Sequence, residues 1–185
     1  MADIKERLDN LRFHIQKAEF LEGKGLSNEV NIWIFCYDAA DEMIVRHFVD
    51  QITTDPSIGC NLIECDLYKT FLQMCDDIDI SDAIAQMEEE DGQSFLLEQL
   101  HCAIGESEFI DKIQYAPHDK GDVLLLTGVG DAFPFLRVHS LLEALQPHFG
   151  DIPILVMYPG TFDGSYVRLF DKLTPNPYYR AFNAI

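Results

Sequence analysis

Four stretches of the chain are almost continuously apolar and rich in β-branched and aromatic residues. They are separated by longer segments in which apolar residues recur every three or four positions. The four stretches are residues 30–38, 61–68, 122–128 and 152–158. A strand that is apolar at successive positions is typical of a sheet covered on both faces. The alternation of such strands with helices predicts an α/β fold with a mainly parallel sheet.

Helical spacing is clearest after the third predicted strand. Apolar residues follow a 3,4,3,4 spacing there, at Phe135, Val138, Leu142, Leu145 and Phe149. Pro134 suits the first turn of this helix, because its fixed φ angle is already helical and its missing N–H is not needed there. A short helix is also predicted over residues 166–173. Residues 178–184 are compatible with a fifth strand at the edge of the sheet.

The segment between the second and third strands is the least regular part of this pattern. Residues 69–115 are helical in spacing and strongly acidic, and they predict a helical insert. No internal repeat or Pro/Gly/Ser-rich linker divides the sequence. We therefore expect residues 1–185 to form a single α/β domain with four to five strands. Its sheet would be Rossmann-like or P-loop-like, but without a working P-loop.

The net charge of the chain limits the kinds of molecule that it is expected to bind. Thirty-two Asp and Glu residues against 13 Lys and Arg give a formal net charge of −19. Such a field repels nucleic-acid phosphates and anionic lipids, so no direct nucleic-acid or membrane binding is expected. It favours solubility and a protein partner with a basic surface.

The N-terminal sequence and the cysteines indicate the cellular compartment. The N-terminal sequence MADIKERLDNLRF is charged from its start, unlike a secretory signal, and no apolar run approaches the ~20 residues that span a bilayer. The five cysteines are odd in number and lack CxxC spacing. These features predict a cytoplasmic, reduced protein without zinc.

The sequence LLLTGVGDAFPFLR, residues 124–137, resembles a phosphate-binding passage from strand through glycines to helix. It lacks the lysine of a P-loop, and Phe133 stands where the third glycine of GxGxxG is required. A second near match, GKGLS at 23–27, has Ala18 in place of the first P-loop glycine. Gly128 and Gly130 therefore suit a tight turn that needs a positive φ angle.

Arg137 leaves three alternatives open. A cation in the first turn of a helix is unfavourable by ~0.3–1 kcal/mol, so an anion is expected nearby. That anion could be an internal carboxylate such as Asp163 or Asp66. It could also be an external anion held by the loop amides and Arg137, or a group on another protein.

Few other residues indicate catalysis. The six histidines share no metal-ligand spacing, and no GxSxG motif is present. Asp66 ends the second strand, and without a phosphate-binding lysine it is expected to cap the next helix. No catalytic residue, metal or cofactor is therefore assigned.

Two loops that leave the same edge of the sheet should lie side by side. We expect them to form a surface for a partner or an anion, composed of Thr127, Gly128, Gly130, Arg137, His139, Asp163 and Arg168. In the C-terminal YYRAF, Tyr178, Tyr179 and Arg180 are candidate interface anchors, although the tyrosines could also belong to the core.

At these residues the chain resembles the BrxB family of bacterial BREX (bacteriophage exclusion) phage-defence systems. The resemblance covers most of the chain. It is strongest at LLLTGVG, PFLRVHSLLEALQP, YPGTFDGSYVRLF and YYRAF, and weaker at FLEGKGLSNEV, YDAADE and ECDLY. Residues 70–118 match in general character only. The family has no established active site, so the resemblance transfers no catalytic residue.

The resemblance implies a subunit of a multi-protein defence complex. Such systems combine a site-specific DNA methyltransferase, large ATPases and a phosphatase-superfamily protein called PglZ. The chain is accordingly expected to be a non-enzymatic assembly or adaptor subunit that binds PglZ and bridges to the methyltransferase. The alternative is a phosphate- or nucleotide-binding domain, with or without enzymatic activity, that uses the Gly128–Arg137 loop. Family members have also been labelled RNA-binding, which the −19 charge contradicts.

Overall fold

The predicted strands are present, together with additional short ones. The computed structural model describes residues 3–23, 31–178 and 180–185. Within these residues the strands are β1 (Ile32–Tyr37), β2 (Asn61–Asp66), β3 (Asp122–Thr127), β4 (Ile154–Phe162), β5 (Tyr166–Leu169), β6 (Asn176–Pro177) and β7 (Phe182–Asn183). The first three agree closely with the prediction, whereas β4 runs four residues past the predicted end at 158.

The helices of the described residues fall into two groups. The first group is α1 (Ile4–His14), α2 (Ala18–Leu21) and α3 (Glu42–Thr54). The second group is α4 (Leu67–Asp77), α5 (Ile84–Asp91), α6 (Gln93–Ala103), α7 (Glu106–Ile113), α8 (Val129–Ala132) and α9 (Val138–Leu145). Helices α4 to α7 confirm the predicted helical insert.

Five strands form a parallel sheet in the order β2-β3-β4-β1-β7. The register between β1 and β4 runs from Ile32 opposite Ile154 to Tyr37 opposite Pro159. Strand β3 lies between β2 and β4, and all six of its residues are buried. This explains its continuous apolar pattern, and the α/β fold class is confirmed.

The two helix groups cover opposite faces of the sheet. Phe35, Leu125 and Met157 pack with α1 and α3, whereas their neighbours Ile34 and Leu126 pack with the second group. The chain steps three positions across the sheet from β1 to β2 and returns one position at a time through β3 to β4. Because βαβ crossovers are right-handed, connections that run in opposite directions across the sheet place their helices on opposite faces. The two helix groups therefore lie on different faces.

The predicted helix at 166–173 is wrong, because β5 is a strand. It pairs antiparallel with the end of β4, with Thr161 opposite Arg168. Asp163 closes the hairpin, since its Oδ1 accepts the N–H groups of Ser165 and Tyr166 at 2.8 and 2.7 Å. The residues of β5 are alternately exposed and buried, which is the period of a strand.

The prediction that Pro134 opens a helix is also wrong, because α9 begins at Val138. The backbone N–H of Leu136 donates to Ala132 O at 3.0 Å, which closes a turn at the end of α8. The carbonyl oxygen of Pro134 lies 3.0 Å from His101 Nε2 of α6 and is therefore used outside a helix. Arg137 is the N-cap residue of α9 instead of a first-turn residue.

The C-terminal segment reaches the edge of the sheet, as the sequence allowed. Strand β7 pairs parallel with β1, with Trp33 opposite Phe182, and their ring centroids are 5.3 Å apart. The strand is two residues long instead of spanning 178–184. It covers the edge of β1.

Candidate functional site

The glycine corner after β3 is built around Gly128. Its φ angle of +68° is in the left-handed region, as predicted. A Cβ at this position would lie 2.5 Å from Asp66 Oδ1. That carboxylate oxygen accepts the N–H groups of Tyr68 and Lys69 at 3.1 and 3.0 Å, so Asp66 caps α4 as expected. The corner therefore requires glycine for its backbone angle and for its contact with the cap.

Gly130 is a glycine for a different reason. It lies within α8, and its φ angle is not positive. A Cβ there would lie 3.0 Å from Cε1 of Phe170 and 3.2 Å from Cγ of Pro159. The segment after β3 thus contacts the end of β4 and the residue that follows β5, so residues 128–137 and 158–170 lie side by side as predicted.

Thr127 and Gly128 line a crevice of about 150 Å³ at the carboxyl ends of β2 to β4, beneath α3. The carboxyl ends of parallel strands form the edge at which α/β proteins commonly hold ligands. Its polar groups already pair with one another. Thr127 Oγ1 donates to Glu64 Oε1 at 2.8 Å, and Lys69 Nζ lies 3.1 Å from Asp66 Oδ2.

The second cation of this crevice is also paired. Arg46 Nε lies 2.8 Å from Glu42 Oε1, and its Nη2 forms an ion pair with Asp131 of α8. The hydrogen bond that Arg46 donates to Glu42 is the largest of the effects that raise the pKa of Arg46 above its ordinary value. Both cations therefore face carboxylates, and the crevice does not resemble a phosphate site.

Arg137 lies on the other side of α8. Among the described residues no carboxylate forms an ion pair with it. Asp66 pairs with Lys69, and Asp163 is held in its own turn. The hypothesis that either carboxylate is the partner of Arg137 is therefore wrong.

Arg137 and His139 line a larger cavity of about 370 Å³, which we call the Arg137 cavity. The cavity is bounded by α8, the start of α9, the end of β5 and the segment before β6. Its lining residues are Val129, Phe133, Leu136, Arg137, Val138, His139, Tyr158, Leu169, Leu173, Thr174 and Asn176. Burial, followed by the charge of Arg137, lowers the pKa of His139 below its ordinary value of 6.5.

Tyr158 is a buried polar residue of this lining that the sequence analysis did not select. Its side chain is 2% exposed, and burial raises the pKa of its phenol. No hydrogen bond to its hydroxyl occurs among the described residues. The sequence signal that could have identified Tyr158 is its hydroxyl, the one polar side-chain group in the apolar run ILVMYPG.

The remaining candidate surface residues lie apart from this cavity. Asp163 and Arg168 line a separate depression along the β4–β5 hairpin. Hydrogen bonds from the N–H groups of Tyr166 and Ser165, more than Arg168, lower the pKa of Asp163. Six of the seven predicted residues thus line three depressions, whereas Gly130 packs against Phe170 and Pro159. Their role as a partner surface stays a prediction.

The candidate anchors of the C-terminal segment are in different environments. Tyr178 is 1% exposed and belongs to the core, and its hydroxyl accepts a hydrogen bond from Gln146 Nε2 at 3.4 Å. Arg180 is exposed and donates to Gln146 Oε1 at 3.1 Å. Tyr179 lies outside the described residues.

Helices α4 to α7 form a strongly acidic layer on one face of the sheet. Residues 67–113 contain twelve Asp and Glu but two Lys. Three large apolar side chains are nevertheless exposed on this layer, Leu72 at 41%, Ile78 at 46% and Phe95 at 42%. Single exposed apolar side chains also occur elsewhere, such as Phe13 at 68% and Met43 at 73%. Of the three, Ile78 is the one that lines a groove with other apolar residues, which is typical of a contact surface.

A groove of about 270 Å³ runs between α4, α6 and α7 in this layer. Met74, Ile78, Ala103 and Ile104 form its floor, and its rim carries Asp77, Glu108, Asp111 and Lys112. Lys112 Nζ lies 2.6 Å from Asp77 Oδ2, so one of the three acids is neutralised within the chain. We call this feature the acidic groove.

Within residues 3–23, 31–178 and 180–185, no group of three or more His, Cys, Asp or Glu side chains is arranged to hold a metal ion. In the same residues, no helix has both the length and the apolar character needed to cross a bilayer.

Comparison with known proteins relates the sequence of this chain to one family. The family model described as "BREX protein BrxB" matches residues 63–184. A protein of that name from Bacillus cereus (strain H3081.97) is 33% identical and covers 100% of this chain and 99% of its own. Another from Escherichia coli O9:H4 (strain HS) is 28% identical, covering 98% of this chain and 92% of its own. No solved structure gives a significant match. The chain therefore belongs to the BrxB family, whose members are components of BREX phage-defence systems.

Proposed function

We propose that this chain is a non-enzymatic assembly subunit of a BREX complex in the cytoplasm. It binds a PglZ-type protein and connects that protein to the site-specific DNA methyltransferase. The observation that carries the proposal is the acidic groove, with its apolar floor between α4, α6 and α7. Apolar contact supplies affinity, and the acidic rim selects a partner that presents Lys or Arg around an apolar anchor.

The polar side chains at the carboxyl edge of the sheet pair with one another, and this pairing supports a non-enzymatic role. Glu64 accepts a hydrogen bond from Thr127, and Lys69 and Arg46 form ion pairs with carboxylates. These groups therefore stabilise the loops at the position where an α/β enzyme would carry catalytic residues.

Co-purification tests the proposal. The chain is produced together with a tagged PglZ-type protein from its own operon, and its recovery is measured at low and high salt. Ile78→Arg should reduce recovery by at least about tenfold, because it places a cation where a basic partner docks. Met43→Arg on α3, where Met43 is 73% exposed, is the matched control and should not change recovery.

Two results would contradict the assembly role at this surface. One is the absence of co-purification of the parent chain at low salt. The other is equal recovery of the Ile78→Arg and Met43→Arg variants. Circular dichroism melting of both variants shows whether each remains folded.

A further inference from the structure

The Arg137 cavity has the size and composition of a small-molecule site. Its volume of about 370 Å³ lies within the range that small ligands occupy, roughly 300–1,000 Å³. Its lining surface is about half apolar, with Leu136, Leu169 and Leu173 among the contributors, and about half polar. Apolar side chains combined with a few polar groups that fix the orientation of the ligand are typical of ligand sites.

The hydroxyl of Tyr158 indicates where a ligand would be held. Tyr158 is 2% exposed, lines the cavity, and has no hydrogen-bond partner among the described residues. Among the described residues, the fully buried side-chain atoms without a hydrogen-bond partner are His14 Nε2 and His118 Nε2, so the Tyr158 hydroxyl keeps some accessible surface. A molecule in the cavity with a hydrogen-bond acceptor would supply the partner that the described chain does not.

Positive charge lines the same cavity. Arg137 is exposed, and it has no ion pair among the described residues. It is also the N-cap residue of α9, and no side chain caps the first N–H groups of that helix. The guanidinium and the helix N-terminus therefore add to one electropositive region, which favours an anion.

The surrounding charges favour a single negative charge. His139 lies beside Arg137 and is half-buried, and Glu143 and Glu106 are close enough to act on its ring. These two carboxylates would oppose a dianion. One cation, a tyrosine hydroxyl and an imidazole can instead satisfy one carboxylate and one further acceptor.

We propose that the Arg137 cavity binds a small organic acid whose carboxylate lies against Arg137 and the N-terminus of α9. An acceptor on its aromatic or aliphatic body reaches the Tyr158 hydroxyl, and the body packs on Leu136, Leu169 and Leu173. This site is separate from the acidic groove and does not depend on the assembly role.

Titration by nuclear magnetic resonance of the isotope-labelled full chain tests this site. The probes are 4-acetylphenylacetate, which combines a carboxylate, an apolar ring and a distal carbonyl acceptor, and its neutral amide, 4-acetylphenylacetamide. The acid should cause saturable shifts at residues 136–140, 158 and 173–176. The amide should bind at least about fivefold more weakly, because it lacks the charge-assisted contact with Arg137.

Variants separate the two contacts. Arg137→Gln should weaken binding of the acid to the level of the amide, and Tyr158→Phe should weaken it about fivefold by removing one hydrogen bond. Arg168→Gln is the matched control, because Arg168 lies in the neighbouring depression and should not change the affinity. Amide spectra of each variant report whether it is folded.

Several outcomes would overturn the proposal. They are the absence of saturable shifts around the cavity, equal affinity for acid and amide, or an unchanged affinity in the Arg137→Gln variant. Tighter binding of phenyl phosphate than of the acid would overturn the assignment of a carboxylate. Co-purification of Arg137→Gln with the PglZ-type protein distinguishes this test from that of the assembly role, since the two can fail separately.

Discussion

Gly128 lies so close to Asp66 that a side chain at residue 128 would displace the cap of α4. The ideal Cβ would be 2.5 Å from Asp66 Oδ1 and 3.3 Å from the backbone nitrogen of Tyr68. The end of β3 and the start of α4 are thus packed together through one glycine. This relationship is the physical reason for the glycine corner that resembled a phosphate loop in the sequence.

Gly128→Ala should therefore lower the free energy of unfolding by about 2–4 kcal/mol. About 1–2 kcal/mol comes from the left-handed backbone angle, and the rest from the displaced cap. Urea unfolding measures the change. Gly164→Ala is the matched control, because Gly164 has a φ angle of +94° but no atom within 4 Å of its added Cβ. Equal losses in the two variants would contradict the role of the contact.

Asp66→Ala should cost about 1 kcal/mol of stability by leaving the N–H groups of Tyr68 and Lys69 without their acceptor. Asp66→Asn keeps a side-chain oxygen and should retain most of that contribution. Thermal and urea unfolding compare the two variants. A loss of the same size in both would attribute the effect to the ion pair with Lys69 instead of the cap.

Asp122 should make the fold sensitive to acid. Burial alone would raise its pKa, but hydrogen bonds from Asn61, the Asp119 N–H and Tyr115 outweigh burial and hold the pKa below 3.8. The stabilisation is therefore complete above that ordinary value and is lost as the pH falls through the lower folded value.

Asp122→Asn should lower stability at neutral pH and flatten the acid limb of the stability profile. The measurement is urea unfolding at a series of acidic pH values. Asp50→Asn on the exposed side of α3 is the control and should keep the slope of the parent chain. An unchanged slope in Asp122→Asn would show that other carboxylates dominate acid unfolding.

His14 should contribute a second pH dependence nearer to neutrality. Its ring lies 5.4 Å from Phe20 and 5.0 Å from Trp33, and burial is the main cause that lowers its pKa below 6.5. The unfolded chain binds this proton more readily, so stability is full above about 6.5 and falls as the pH decreases. His14→Phe should reduce this slope in pH-dependent thermal unfolding, whereas His148→Gln at an exposed site should not.

The sequence predicted the central strands well because burial on both faces leaves a continuous apolar pattern. It predicted β5 wrongly, since four residues such as Tyr166–Leu169 are too short to separate a helical period from a strand period. The Asp163–Gly164 dipeptide before β5 is a hairpin signal. That local signal outweighs a helical interpretation of the residues that follow.

The start of α9 and the partner of Arg137 could not be predicted for another reason. The turn at Pro134 involves His101, which is 33 residues earlier in the chain. Asp66 pairs with the nearby Lys69, and Asp163 accepts the N–H groups of Ser165 and Tyr166, but that neither carboxylate reaches Arg137 depends on tertiary geometry. The Arg137 cavity likewise combines residues from α8, α9, β4 and β5, so the sequence indicated Arg137 and His139 and missed Tyr158.

The acidic layer makes the charge distribution of the molecule asymmetric. Residues 67–113 carry twelve of the 32 acidic residues and two of the 13 Lys and Arg residues, and they lie on one face of the sheet. The long-range field therefore turns this face toward a basic protein before the surfaces touch. Encounter would be fast and mostly productive at low ionic strength and would slow as salt screens the field.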